Sequence, residues 1–168
     1  MMLCHTARSN RMSEYRFLLR DTEAAVEWLE DEDDHQRRRI LYAAVMGLLY
    51  SISDVLDRDG AKHVRQAIQK ARCRWKSESE AGQFNWFYDF IRPERTRVVH
   101  EGRHSHSDDT PIFLIVAQSN EVADLEEDYS DVYWPTELEK LSGQDVRDVL
   151  KKALDWWVAE LRIMGLDT

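Results

Sequence analysis

The sequence predicts a mainly α-helical protein: a bundle of four or five helices with a small β-hairpin inserted before the C-terminal helix. Apolar residues recur every three or four positions over most of the chain, as in helices with one buried face. Glycine and proline are scarce, with six and three among 168 residues, and strands depend on the turns that these residues form. We expect one domain over residues 1–168, because a chain of this length is most simply a single domain.

The first three predicted helices each carry an apolar stripe. Ser13 is a suitable N-cap for the first. The second is apolar on both sides and is therefore expected to be central, and Asp59-Gly60 ends it. Gly47 in its middle costs about 1 kcal/mol relative to alanine, so we expect another helix to cross closely there. The third helix should carry its basic residues outward. The stripes are Tyr15, Leu18, Leu19, Thr22, Val26 and Leu29; Leu41, Ala44, Val45, Leu48, Ile52, Val55 and Leu56; and Ala61, Val64, Ile68, Ala71 and Trp75.

The fourth predicted helix opens near Ser79 and stops by Gly102, a residue that commonly follows a helix end. Pro93 falls inside this pattern. Because proline lacks an amide donor and clashes with the preceding turn, we expect a kink or a restart there. The apolar residues of this helix are Phe84, Phe87, Tyr88, Ile91, Val98 and Val99.

The predicted insertion covers residues 103–142. Residues 112–117 and 132–134 are the expected strands of the hairpin, with an acidic loop at residues 121–131 between them. The last helix then runs from about Gly143 to Met164. Most of the six tryptophans fall at or beside core positions of helices, so we expect core packing for the majority. Residues 1–12 are expected to be an extension outside the fold.

The charge distribution leaves room for a local phosphate-binding face. The net charge of −9 argues against general nucleic-acid binding, which needs clustered lysine and arginine. However, residues 61–77 contain six lysines and arginines and no acid, whereas residues 120–139 contain eight acids and no base. A polarised chain can bind phosphate on one face despite its negative total. The alternative is that the basic residues form the solvated side of one helix.

Composition also predicts the compartment. Cys4 and Cys73 are too few for a disulfide framework and suit a reducing environment. No uninterrupted apolar run approaches the roughly 20 residues that span a bilayer, and the first residues lack the apolar core of a secretory signal. We therefore expect a cytoplasmic protein without membrane association. Met12 is an alternative start of the chain.

Residues 91–102, Ile-Arg-Pro-Glu-Arg-Thr-Arg-Val-Val-His-Glu-Gly, are the most informative segment. They place Arg95, a permanent cation, close to His100, which titrates near neutral pH. Such a pair is suited to handling a phosphodiester without a metal. The competing interpretation is structural: Arg95 forms an ion pair with Asp89 or Glu101, and His100 stabilises the C-terminus of its helix.

This segment, in a late helix of an all-helical bundle, resembles the active-site region of the HEPN family of nucleotide-binding domains and ribonucleases. The resemblance implies a metal-independent endoribonuclease that works as a homodimer, often as the toxin of a toxin–antitoxin or phage-defence pair, with RNA as its substrate and no cofactor. It implies that Arg95 holds the scissile phosphate and that His100 transfers the proton. Thr96, where many active members carry Asn, Asp or His, and Arg92, Arg97 and Arg103 are the expected substrate-binding residues.

Helical geometry favours a composite site. Five residues at about 100° each place Arg95 and His100 roughly 140° apart around an α-helix, so two such helices across a two-fold axis would bring the groups together. The family also includes members without nuclease activity, so a non-catalytic nucleotide- or protein-binding module is the alternative. A metal site of His100, His104 and His106 is a further alternative, against which we expect Gly102 to end the helix and the histidines to lie in a solvated loop.

Overall fold

The structure, a computed structural model, describes residues 14–101 and 139–166. These residues form a helical bundle, which confirms the predicted fold class in its main feature. The predicted hairpin, the extension at residues 1–12 and the side chains of Arg103, His104 and His106 lie outside the described residues. The helices are α1 (Glu14–Glu30), α2 (His35–Arg58), α3 (Lys62–Glu80), α4 (Trp86–Glu101) and α5 (Val146–Ile163), with a short 3-10 turn at Glu139–Leu141.

Helix α2 is central, as predicted, and contacts the four other helices. The Asp34 carboxylate caps its first turn by accepting the Arg37 amide at 2.8 Å. The helix ends at Arg58, next to the predicted Asp59-Gly60 break. Its buried face differs from the predicted stripe, because apolar residues on both sides leave the sequence pattern ambiguous. The core face comprises Arg38, Tyr42, Val45, Met46, Leu49, Ile52, Ser53 and Leu56, whereas Ala44 is exposed.

The predicted close crossing at Gly47 is wrong for the described chain. A Cβ built at this glycine meets no atom within 4 Å, so no neighbouring helix requires the missing side chain. The residue lies on the side of α2 that faces away from the core. By length and composition alone, α2 is the one helix among the described residues that is apolar enough to cross a membrane. Core helices of soluble proteins pass the same test.

Helix α3 packs with Val64, Ile68, Ala71 and Trp75 inward, as predicted. The expectation that its basic residues all point outward is wrong for two arginines. Arg72 donates to the Ser53 carbonyl and to Asp57, both at 3.1 Å, and Arg74 pairs with Glu160 of α5. A long side chain on a helix flank reaches the adjacent helix and neutralises its charge there, so the predicted basic face is only partly available.

Aromatic rings join α3, α4 and α5 in the core. The Trp75 ring lies 5.5 Å from Phe87 and 5.5 Å from Trp157, and both tryptophans are fully buried. The Glu160 carboxylate accepts the Trp75 indole N–H at 2.9 Å. Core packing is therefore confirmed for these two tryptophans. It is wrong for Trp28, which is 65% exposed on α1.

Helix α4 starts later than predicted and is not regularly wound. Ser79 belongs to α3, and Gly82, with φ of 79°, makes the turn after that helix. The Asn85 side chain then caps α4 by accepting the amides of Phe87 and Tyr88 at 3.0 and 3.3 Å. The winding is π over Trp86–Ile91, α over Arg92–Thr96 and π over Arg97–Glu101. The winding changes at residue 92, next to Pro93, but the chain stays helical through this point, so the kink or restart expected at Pro93 stays a prediction.

Candidate phosphate-binding site on helix α4

A buried carboxylate fixes α4 against α2. Glu94 is completely buried, and its two oxygens accept the Tyr42 hydroxyl at 2.8 Å and the Arg97 guanidinium at 2.7 Å. A buried carboxylate is tolerated only when it is paired and hydrogen-bonded, so this network anchors one face of α4. Sequence reasoning missed Glu94. The position of Glu94, three residues after Ile91 and four before Val98, is on the inward side of the helix and could have indicated that this residue is buried.

Arg95 projects from the next position and lies over an aromatic ring. Its guanidinium carbon is 5.0 Å from the centroid of Tyr50 on α2. The Tyr50 ring is in turn stacked on Phe87, at 5.9 Å with an interplanar angle of 18°. A cation over an aromatic face is attracted by the negative charge of that face. The contact therefore orients the guanidinium without neutralising it. Tyr50 is a second residue that the sequence analysis missed.

The alternative in which Arg95 forms an ion pair with Asp89 is wrong. The Asp89 carboxylate accepts hydrogen bonds from the Ser79 hydroxyl at 2.8 Å and from the Asn85 backbone N–H at 2.7 Å. One of its oxygens also lies 3.8 Å from the Lys140 ammonium nitrogen. Among the side chains that the structure describes, Arg95 has no carboxylate partner. The other partner considered, Glu101, has a side chain outside the described part of the chain.

Arg92 repeats the arrangement one turn earlier. Its guanidinium carbon lies 5.7 Å from the Tyr88 ring centroid, and the Tyr88 ring contacts Phe87 at 5.4 Å. Within residues 14–99 and 140–166, Arg92 has no ion pair either. Two arginines on one side of α4 thus each cover a tyrosine, and the buried ring of Phe87 supports both tyrosines. We call Tyr50, Tyr88, Arg92 and Arg95 the arginine–tyrosine surface.

The other predicted site residues are used differently or lie outside the described side chains. The Thr96 hydroxyl donates to the Arg92 carbonyl at 3.0 Å, within its own helix. Arg97 is paired with Glu94, so part of its donor capacity serves the fold. The backbone of His100 belongs to the last turn of α4, but its side chain is not described, and Arg103 lies outside entirely.

The π-wound turn changes the expected relation between Arg95 and His100. In a π-helix each amide bonds to the carbonyl five residues earlier, so a turn takes more residues than in an α-helix. Combining the α steps up to Arg97 with π steps beyond it separates the two Cα positions by roughly 90° around the axis. The α-helical estimate was roughly 140°. The two positions therefore diverge less on one chain than the sequence predicts.

The described residues contain no group of three or more His, Cys, Asp or Glu side chains placed to hold a metal ion. The histidine-based alternative lies outside this part of the chain. Comparison with models of protein families, with curated proteins and with solved structures finds no match. The resemblance to the HEPN family thus depends on residues 91–102 and on the helical order of the chain.

Proposed function

We propose that this chain is a metal-independent endoribonuclease of the HEPN type, with a toxin or defence role, that cleaves RNA at the cleft of a homodimer. One observation supports the proposal most. The Arg95 guanidinium is held over Tyr50 and has no carboxylate partner among the described side chains. Because no described carboxylate neutralises its charge, its five donors can bind phosphate oxygens. Arg92 supplies a second cation of the same kind on the same side of α4.

In the proposed reaction, Arg95 binds the non-bridging oxygens of the scissile phosphate and stabilises the charge that develops on them. His100 is the general acid or base. The RNA 2′-hydroxyl loses its proton and its oxygen forms a bond to the adjacent phosphorus, while the bond from phosphorus to the 5′-oxygen breaks. The 5′-oxygen takes up a proton. The products are a 2′,3′-cyclic phosphate and a 5′-hydroxyl, and the route uses no metal or cofactor.

The remaining residues have supporting roles in this proposal. Arg92 binds a neighbouring phosphate, and Thr96 contributes its hydroxyl once it leaves the Arg92 carbonyl. Arg97 holds α4 in place through Glu94, and Arg103 stays a proposed substrate contact. The β-hairpin before α5, a cytoplasmic location and an antitoxin or other protein partner also remain part of the proposal.

A non-catalytic binding module is the second candidate. The arginine–tyrosine surface favours it as well, because cations paired with aromatic rings bind phosphates and bases without any chemistry. This candidate requires ligand affinity that depends on Arg92 and Arg95 but no cleavage that depends on His100.

The experiment is cleavage of single-stranded RNA by the purified full chain in EDTA, with analysis of the product ends. The proposal predicts cyclic phosphate ends, and loss of cleavage in Arg95→Ala and His100→Ala. Arg162→Ala is the matched control, because Arg162 is an exposed arginine on α5 far from α4 in sequence. RNA binding without cleavage by the wild-type chain would favour the binding module. Cleavage that persists in both variants would refute the assigned roles.

A further inference from the structure

Helix α2 has more apolar surface than the rest of the described chain covers. The most apolar stretch of 18 residues in this helix has a mean hydropathy of 1.5, yet only 39% of that stretch is buried. The residues on its outward side follow the three- and four-residue steps of one helix face, with two adjacent residues, Gly47 and Leu48, at the centre. We call them the outer stripe: Ile40, Ala44, Gly47, Leu48, Ser51 and Val55. Leu48 and Val55 border the stripe, because both are half-buried and also pack against the core of their own chain. Ile40 is 59% exposed, and the only hydroxyl in the set, on Ser51, is satisfied by the Gly47 carbonyl at 2.7 Å.

The outer stripe is symmetric about its centre, between Gly47 and Leu48. Counting outward from that point, Ile40 corresponds to Val55 and Ala44 corresponds to Ser51. A second α2 helix running antiparallel would therefore place large residues against large ones and small against small. At the centre, Leu48 of each helix would lie against Gly47 of the other, where a Cβ added to the glycine meets no atom of its own chain within 4 Å. Self-complementarity of this kind is what a two-fold interface requires.

The charges at the two ends of α2 match the same orientation. Residues 35–39 include three arginines and no acid, whereas residues 54–59 include three aspartates and one arginine. Antiparallel packing brings the basic end of one helix near the acidic end of the other. Asp54 and Asp57 already pair with Arg72 of their own chain, at 3.4 and 3.1 Å, so the charges agree with this orientation but the apolar stripe carries the argument. Arg37 can reach a second chain, because its side chain is 73% exposed and its ion pair with Glu32 is long, at 4.0 Å. The helix dipoles also oppose each other favourably in this arrangement.

We propose that the outer stripe of α2 is the surface on which a second copy of this chain packs, antiparallel and centred on Gly47. The two-fold axis of such a pair is perpendicular to both helices, so side chains on one flank of α2 emerge on the same side of the dimer in both copies. Tyr50 lies on such a flank, beneath Arg95. The two arginine–tyrosine surfaces would therefore border one groove. The role of that groove in RNA cleavage rests on the proposed function, whereas the proposed interface is argued from α2 alone.

The first test measures the mass of the full chain in solution by light scattering. We expect twice the 19.9 kDa of one chain. Gly47→Leu and Ile40→Asp should each reduce the mass to that of one chain while the chain stays helical and unfolds cooperatively, because both positions face outward; the melting temperature should fall only by the stabilisation that association supplies. Ala159→Leu, which adds similar bulk at an exposed position of α5, should stay dimeric. A monomeric wild-type chain overturns the proposal, as does a dimer that both substitutions leave intact.

A monomer that binds lipid vesicles through Ile40 would also overturn the proposal, because the outer stripe would then face a membrane. The vesicles are of neutral and anionic phospholipid, and the readout is co-sedimentation of the wild-type chain compared with Ile40→Asp. We expect no co-sedimentation that depends on Ile40.

The second test fixes the orientation by disulfide formation in a Cys4→Ser, Cys73→Ser background. A mixture of Ile40→Cys and Val55→Cys chains should cross-link, because antiparallel packing brings these positions together. Ile40→Cys alone should not, because its two copies would lie about 15 residues apart along the helices, roughly 22 Å, and a disulfide needs Cα atoms within about 7 Å. Cross-linking of Ile40→Cys with itself would indicate parallel packing and overturn the proposal.

The outcomes separate this proposal from the ribonuclease proposal. If the chain cross-links as expected but cleaves no RNA, the interface proposal stands and the ribonuclease proposal fails. If the Gly47→Leu chain is monomeric and cleaves RNA as well as the wild type does, the ribonuclease proposal stands and the proposal of a shared groove fails.

Discussion

Substitution of Tyr42 by phenylalanine should measurably destabilise the fold, although it removes a single oxygen. The Tyr42 hydroxyl donates to Glu94 at 2.8 Å, and both residues are completely buried. Phenylalanine fills the same space, so the substitution removes the hydrogen bond without opening a large cavity. A hydrogen bond to a charged group contributes about 1.5–3 kcal/mol. For a chain of this size, each kcal/mol shifts the Tm by about 2–4 °C, so the Tm should fall by roughly 3–12 °C.

Thermal and urea unfolding of the wild-type and Tyr42→Phe chains measure this loss. Tyr50→Phe is the matched control, because the Tyr50 hydroxyl has no hydrogen-bond partner among the described residues, and its stability should stay within about 0.5 kcal/mol of the wild type. The loss should also shrink in a Glu94→Leu background, since the interaction energy belongs to the pair. A Tyr42→Phe chain as stable as the wild type would refute the anchoring role of Glu94.

Three further substitutions test the helices and the site. Gly47→Ala, made in the Ile40→Asp background that keeps the chain monomeric, should stabilise the fold by up to about 1 kcal/mol in urea unfolding, because the added Cβ meets no atom within 4 Å; a loss of stability in that background would mean that this position is covered within one chain. Trp157→Ala should cost about 3–5 kcal/mol, as measured by the same assay, since this ring is fully buried against Trp75; a change below about 1 kcal/mol would contradict the packing. Tyr50→Leu should weaken RNA binding about 2- to 5-fold through the lost contact with Arg95, worth roughly 0.5–1 kcal/mol, whereas Tyr50→Phe should bind as the wild type does in a titration; equal weakening by both would point to the hydroxyl instead.

The sequence pattern predicts most of the helices because each buries one stripe against a shared core. It correctly identifies Val64, Ile68 and Trp75 as the inward face of α3. The pattern fails to predict the buried face where apolar residues occur on all sides of a helix. In α2 the spacing of apolar residues does not distinguish the side that faces the core. The exposed Ala44 and the open position at Gly47 are the result.

The site residues were less predictable than the fold, because their roles depend on partners far away in sequence. Glu94 is a single acid in a charged segment, and only its contact with Tyr42, 52 positions earlier, shows why it is buried. Similarly, Tyr50 looks like one more apolar residue of α2 until Arg95 is found over its ring. The π-wound turn of α4 follows no residue pattern that a 3.6-residue period detects.

Subunit mixing tests the central claim most directly, because it asks whether Arg95 and His100 act together in one site of a dimer. Arg95→Ala and His100→Ala chains, each without cleavage activity in EDTA, are denatured together and refolded. If the two groups come from different chains, half of the dimers are mixed and each mixed dimer has one complete site. The mixture should then recover roughly a quarter of the wild-type cleavage rate. Wild-type activity in either variant alone would contradict the account, and a mixture that stays inactive beside an active wild-type chain would contradict the shared site.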